Sequence, residues 1–267
     1  MAHFAIIVDD HPQRVDRFLA SVRKLFGSLA GTTIGEHRDG ACGCVWAIGP
    51  RAPVSFHNAG SGFALLIGYG VDDDGRRATA ADLAANWLGV TRSPRLYDGY
   101  HVAMAWSPAQ GLAAGVDPMG LFPLQWAEMG SGPLAPLVVA TTPAAFRCHE
   151  RFAARIDRRG LAGILLVHGP LLDRPLMAAT QRVPKGRLVR WTPSGGTCLQ
   201  ESYRLTGTPP PPGESTADRL DRVEEAFVSA IRRHRPHDGD ATILLSGGLD
   251  SRLVLGTLAR EGIPGSR

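Results

Sequence analysis

The sequence predicts a layered α+β domain followed by the opening of a doubly wound α/β domain, and three observations carry that expectation. Short apolar segments bounded by turn residues recur up to about residue 207, with amphipathic helices set among them. Four consecutive prolines then lie in "TGTPPPPGEST", residues 206–216. Proline donates no backbone hydrogen bond and favours an extended chain, so a boundary falls there. Beyond it the order is helix, apolar run, glycine-rich turn, helix. The expected division is 1–207, a proline-rich linker over 208–215, and 216–267.

The segments in order justify this reading. "HFAIIV" opens as a strand. Pro12 suits a first helical turn, and Val15, Phe18, Leu19, Val22, Leu25 and Phe26 recur at helical spacing, with Arg14, Asp16, Arg17, Arg23 and Lys24 opposite them. "CVWAIG" and "FALLIGYG" read as strands. "TAADLAANWLG" begins at Thr79, carries Asp82 three residues later as in a capping box, and ends at Gly89. "YHVAMAWS", "GLAAGV" and "PLVVAT" are further strands. "DRRGLAGILLVHG", Asp157 to Gly169, is apolar on most sides and is expected to be a well-buried helix. After the prolines, Leu220, Val223, Phe227 and Ile231 make one face of a helix that Ser215 or Thr216 caps. Ala241–Leu245 reads as a buried strand, and a last helix runs from about Ser251 to Arg260, closed by Gly262 and Pro264.

Composition narrows the class. With 267 residues, 44% hydrophobic and 20% charged, the chain can bury a substantial core. "MAHFAIIVDD" has five apolar residues, Phe4 to Val8, before two aspartates, which is too short and too acidic for a signal peptide. No run approaches the roughly 20 apolar residues of a membrane helix, so the expectation is a cytoplasmic protein with no membrane partner. Cys42, Cys44, Cys148 and Cys198 lack zinc-site spacing and read as buried or partly buried free thiols. The net charge is +4. Its densest basic stretch, "RFAARIDRRG", is broken by apolar residues and Asp157 and has no aromatic stacking platform. A solvated face is expected there, not a nucleic-acid site.

The stretch with the most chemistry is "LLSGGLDS", residues 244–251. Between a strand and a helix, main-chain N–H groups and the positive helix end converge on an anion. Gly247 and Gly248 permit positive φ and close approach of a phosphate, and Ser246 and Ser251 add hydroxyl donors. Asp250 would repel a pyrophosphate unless a cation such as Mg²⁺ lies between them, or unless it caps the helix in a purely structural turn. The candidate ATP and pyrophosphate site is thus Leu245, Ser246, Gly247, Gly248, Asp250 and Ser251, with Asp250 as the Mg²⁺ ligand. No Walker-type phosphate loop is present, and "GSG" at 60–62 lacks the third glycine of a dinucleotide fingerprint.

That turn resembles the pyrophosphatase loop (PP-loop) of the asparagine synthetase family. "YDGYHVAMAW" (97–106), "GVDPMGLFPLQW" (115–126) and "VPKG" (183–186) resemble three segments of the family's N-terminal domain. The resemblance implies an Ntn-hydrolase-like fold of two stacked antiparallel sheets flanked by helices over residues 1 to about 207, then an ATP pyrophosphatase domain. It also implies ATP and Mg²⁺ as cofactors, adenylation of a carboxylate, and displacement of AMP by an amine.

Two departures refine this. Family members that use glutamine carry a cysteine directly after the initiator methionine, where thiol and α-amine act together. Here Ala2 stands in that place, no Cys, Ser or Thr precedes Ser21, and neither an Asn-Gly-Glu-x-Tyr-Asn nor a Ser-Asp-x-Glu string is present. The N-terminal domain is therefore expected to lack glutaminase activity. Only residues 252–267 follow Ser251, so the synthetase domain is expected to be truncated. The leading expectation is an amide-forming ligase that uses an amine already on its substrate, as in the lasso-peptide macrolactam cyclases and β-lactam synthetases, with the cyclases the better match. Its partners would be a small-molecule or peptide substrate, such as a precursor peptide and its protease. Alternatives are an ammonia-using asparagine synthetase or amidotransferase, and a non-catalytic binding fragment.

Overall fold

The computed structural model describes residues 2–58, 60–88, 97–132, 135–169, 174–204, 206–207, 209–235 and 243–262. The chain forms two compact units, 1–70 with 78–205, and 71–77 with 206–267.

The first unit is an α+β fold of two antiparallel sheets flanked by helices. One sheet runs β10 (Gln181–Arg182), β8 (Gln125–Glu128), β9 (Leu137–Ala140), β1 (Ala2–Val8), β3 (Cys42–Ile48), β2 (Thr33–Asp39). The other runs β12 (Gly196–Glu201), β11 (Arg187–Thr192), β7 (Gly111–Val116), β6 (Asp98–Ser107), β5 (Phe63–Val71), β4 (Val54–Asn58). Strand alternation assigns each residue to a layer. Phe4, Ile6 and Val8 of β1 meet Phe63, Leu65 and Ile67 of β5 and Val102, Met104 and Trp106 of β6 between the sheets. The opposite face of β1, Ala5 and Ile7, is covered by Val15, Phe18, Leu19, Val22 and Phe26 of α1 (Pro12–Gly27), the apolar face that the helical spacing predicts, and Ala145 and Phe146 of the short α3 (Pro143–Phe146) complete this cluster. On the far side, Leu83 and Trp87 of α2 (Ala80–Trp87) cover Leu66, Ala103 and Ala105. Thr79 and Asp82 close a reciprocal capping box on α2, as its sequence signature predicts. Gly89 lies outside the described residues.

The helix of 157–169 departs from expectation. α4 (Arg158–Val167) is capped by Asp157, which accepts hydrogen bonds from the Arg159 and Gly160 N–H groups, but only Gly160 and Gly163 are buried. Leu165 and Leu166 are 70% and 77% exposed. The cause is the packing face. A Cβ at Gly160 would run into the Pro175 carbonyl oxygen, so the helix rests on its glycines and turns its leucines outward. His168 closes the helix in the left-handed conformation, with φ 56°. The cysteine reading also needs one correction: Cys42 and Cys44 are buried, Cys148 is half-buried, but Cys198 is exposed.

Two polar clusters fix the loops. Asp117, buried at the end of β7, accepts the N–H groups of Met119, Leu121 and Phe122, each at 3.1 Å. Asp9, buried at the end of β1, accepts from Arg14 Nε and Nη2, both at 2.7 Å, and from the His11 N–H at 2.8 Å. Burial alone would raise its pKa, but the Arg14 guanidinium and the His11 N–H together hold it below the usual carboxylate range. His149 Nε2 stands 3.6 Å from Asp9 Oδ2, and its Nδ1 accepts the Arg151 N–H at 3.2 Å. Burial lowers the His149 pKa against the pull of Asp9.

The second unit contains α5 (Thr216–His234) and α6 (Leu249–Arg260), tied by ion pairs Arg260–Glu224 at 2.6 Å and Arg232–Glu261. Ser215 is the α5 cap, in a capping box with Asp218. The expected apolar face of α5 is mostly uncovered: Leu220 and Val223 are exposed and Phe227 and Ile231 half-buried, whereas Val228 is buried. The turn 71–77 packs on the end of this helix, with left-handed Gly75 facing the Arg233 backbone. Among the described residues, no helix is long and apolar enough to cross a membrane.

These clusters predict acid sensitivity in two steps. Unfolded His149 protonates near pH 6.5 while the folded ring resists, so stability falls as pH drops below about 6.5. Asp9 contributes stability above about pH 3.9, which is lost as pH falls toward its lower folded pKa. In urea titrations at a series of pH values, His149→Gln should shrink the upper step without abolishing it, because burial also lowers His3 and His101. Asp9→Asn should cost about 2 kcal/mol at pH 7, because Arg14 loses its buried carboxylate partner and keeps only the exposed Asp10, at 3.2 Å. A stability profile flat between pH 7 and pH 5 would contradict the assignment of His149.

Candidate functional site

The six residues expected at the phosphate turn lie within residues 245–251 of the second unit, and the structure revises their local geometry. Ala241 and Thr242 lie outside the described residues, and Ile243–Leu245 forms no strand. Leu244 is 90% exposed, because no strand among the described residues pairs with it. The helix begins at Leu249, two residues before Ser251, and its N-cap is Gly248. Asp250 therefore sits inside the first turn and is not the cap.

Gly248 has φ −77°, and Gly247 is not among the positive-φ glycines, so neither residue is required here for a left-handed backbone. What they provide is clearance. A Cβ at Gly247 would meet nothing within 4 Å, and one at Gly248 only Ser246 Oγ at 3.2 Å. Ser246 Oγ lies 3.1 Å from Ser251 Oγ and accepts the Gly248 N–H at 3.3 Å. Ser251 Oγ is also within reach of the carbonyls of Ser246 at 3.1 Å and Gly248 at 3.3 Å, while Arg252 Nε donates to Gly248 O at 3.3 Å. The two hydroxyls thus brace the turn, and no side chain caps the helix. An uncapped helix start carries orphan N–H groups and roughly half a positive charge, which is what an anion needs. Leu245 and Asp250 are both exposed.

For a divalent cation the donors are few. No group of three or more His, Cys, Asp or Glu that could hold a metal occurs among the described residues. One carboxylate, Asp250, beside two hydroxyls suits Mg²⁺ only where nucleotide phosphates supply most of the ligands, the arrangement in which Mg²⁺ is usually bound.

A second concavity lies in the first unit, at the start of β1. It has a volume of about 410 Å³ and is lined by Ala2, Ile67, Tyr69, Tyr100 and Phe122, with His3 and Thr141 beside them. Sequence reasoning singled out Ala2 but missed the aromatic side chains. The signal was present, because Tyr69 and Tyr100 extend the alternating rows of β5 and β6 that face the other sheet. Among the described residues, no Asp, Glu, Lys or Arg lines the space. Cys42 and Cys44 sit in β3, buried, and burial pushes both thiols up, away from the nucleophilic form.

The three N-terminal segments quoted above meet around Asp117. Its N–H donates to His101 O at 3.2 Å, Arg182 Nη2 donates to Gly120 O at 3.1 Å, and the Val183 N–H donates to Leu124 O at 2.9 Å. No protein-family model matches the chain, and no curated protein matches it.

Among the described residues, the cavity at Ala2 has no cysteine, serine or charged side chain in its lining, and the Thr141 hydroxyl is engaged by the Phe4 backbone. Glutamate release from glutamine should stay at the uncatalysed background, and Ala2→Cys should not raise it, since the partners for the substrate's charges would still be missing. In the second unit, Ile243–Leu245 and the turn after it should exchange their amide hydrogens faster than β1, β3 and β6, as few buried contacts hold them. Protection of Leu244 equal to that of Ile6 would overturn the exposed placement.

Proposed function

We propose that the chain carries the opening of the ATP site of an amide-bond-forming ligase of the asparagine synthetase family, with its second unit the start of a PP-loop domain. The observation that supports this most is the α6 N-terminus: uncapped, unobstructed at Gly247, and braced by Ser246 and Ser251. In this reading the amides following Gly247 bind the β- and γ-phosphates, and Asp250 and the serine hydroxyls would hold Mg²⁺. Bound there, the metal would neutralise phosphate charge. A substrate carboxylate oxygen attacks the α-phosphorus of ATP, the bond to the β-phosphate breaks, and pyrophosphate leaves. The amine nitrogen then attacks the acyl carbon, the bond to AMP breaks, and the amine proton passes to solvent.

An amine on the same substrate fits this reading best. The usual ammonia source in such enzymes is a glutaminase, and here Ala2 stands where its nucleophilic cysteine would. Free ammonium is mostly protonated near neutral pH and is a poor nucleophile, whereas a tethered amine reacts at high effective concentration. The favoured chemistry is a peptide α-amine closing on an activated Asp or Glu side chain, as in the lasso cyclases, in a cytoplasmic setting with a precursor peptide and its protease. For these 267 residues by themselves a binding role is the second reading, because Ile243–Leu245 has no strand partner among the described residues.

Substrate-dependent exchange of labelled pyrophosphate into ATP tests the proposal in the full-length protein. Asp250→Asn and Gly248→Val should each slow exchange at least about tenfold, roughly 1.4 kcal/mol of transition-state stabilisation. Wild-type exchange in both would move the phosphates elsewhere. A product one water lighter than a candidate peptide supports cyclisation, and asparagine formed from aspartate and ammonium without peptide would return the protein to the ammonia-using class.

A further inference from the structure

Side chains fill the space between the two sheets along most of its length, but not where β1 begins. There Tyr69 continues the row Phe63, Leu65, Ile67 of β5, and Tyr100 continues the row Val102, Met104, Trp106 of β6. The matching row of β1, Phe4, Ile6 and Val8, ends on the methyl group of Ala2. A ring at that position would close the gap; a methyl leaves about 410 Å³. Phe122 forms one wall, its ring centroid 5.1 Å from that of Tyr100, and Asp117 sets that wall by binding the Phe122 N–H.

The lining decides what class of ligand the space accepts. Among the described residues no carboxylate lines the space, so a cationic group, the ammonium of a zwitterion included, would shed hydration there and gain no acidic partner, which costs several kcal/mol. His3 does not change this, because burial, aided by the positive chain terminus, lowers its pKa and favours the neutral ring. A zwitterionic amino acid is therefore a poor occupant. Apolar groups gain from burial, and aromatic ones also gain from offset contact with the facing rings. The size agrees: small-molecule sites span about 300–1,000 Å³, and roughly 150 Å³ of apolar space already admits benzene.

We propose that this cavity is a binding site for a neutral aromatic group, held among Tyr69, Tyr100 and Phe122 above Ala2. The group is supplied by a free small molecule or by an aromatic side chain of a peptide; the recognising chemistry is the same. The site is built within the first unit and does not rest on the adenylation reading.

Calorimetry or saturation-transfer NMR on the full chain tests it with indole, with N-acetyl-tryptophan amide, with zwitterionic tryptophan, and with a blocked peptide carrying a central Trp or Ala. Indole and the blocked Trp compounds should bind saturably, and the zwitterion at least tenfold more weakly. Ala2→Phe, which fills the space, should weaken indole binding at least tenfold. Tyr100→Ala, at the exposed rim, should also weaken it, and thermal unfolding checks that both variants are folded. A Trp peptide that binds tenfold tighter than indole assigns the site to a peptide side chain, and one that binds no tighter assigns it to a free molecule. No saturable binding of any neutral probe, unchanged affinity in both folded variants, or equal affinity for the zwitterion would overturn the proposal.

Discussion

The carboxylate of Asp117 is the constraint on which the first unit's loops depend. It is fully buried, and burying a carboxylate without donors costs several kcal/mol. Three consecutive-loop N–H groups offset that cost, and in accepting them the side chain dictates the path of residues 118–122. That path leaves Gly120, at φ 67°, under Lys185, delivers Phe122 to Tyr100, and brings Leu124 to the Val183 N–H. One side chain thereby connects the end of β7 to β8 and joins both to the segment before β11. Removing it would strand three amides, of which that of Phe122 is buried and would cost about 1–3 kcal/mol when unsatisfied.

The two units solve the problem of apolar surface differently. In the first, the sheets cover each other, and α1 and α2 cover the central strands of their outer faces. In the second, two helices share ion pairs and a few buried residues, Val228 and Leu258 among them, while Leu220, Leu244 and Leu249 remain exposed. Surface ion pairs are worth about 0–1 kcal/mol each, so they cannot replace a core. Order in the second unit thus rests on local helix signals, above all the Ser215–Asp218 capping box.

Those signals are also what the sequence displays best. The face of α1 and the N-caps of α2 and α5 depend on residues within one or two turns, and all of them are legible from spacing alone. The strands that the sequence hides are those whose pattern is set by distant partners. β2, "TIGEHRD", is a polar-rich edge strand recognisable only through its pairing with β3, and the β11–β12 hairpin carries charges that face solvent. The burial of α4 was illegible for a related reason. Apolar composition announces a buried helix, but whether its leucines or its glycines make the contact depends on the backbone of residues 174–175. At the phosphate turn the residue types were readable. The helix start at Leu249 was not, because Gly248 caps by backbone conformation and not through a side chain.

The seating of α4 on Gly160 separates two requirements that most helices combine. In an ordinary amphipathic helix the leucines hold the fold, so any change at them is paid for in stability. Here Leu165, Leu166 and Val167 bear no share of that work, and polar residues in their place would leave the packed face untouched. Mutational drift toward polar side chains at these sites is thus unopposed by folding. If they stay apolar across diverging lineages, the selection responsible acts on what the helix meets outside its own unit, and comparing substitution patterns at these three positions with that at Gly160 would separate the two pressures.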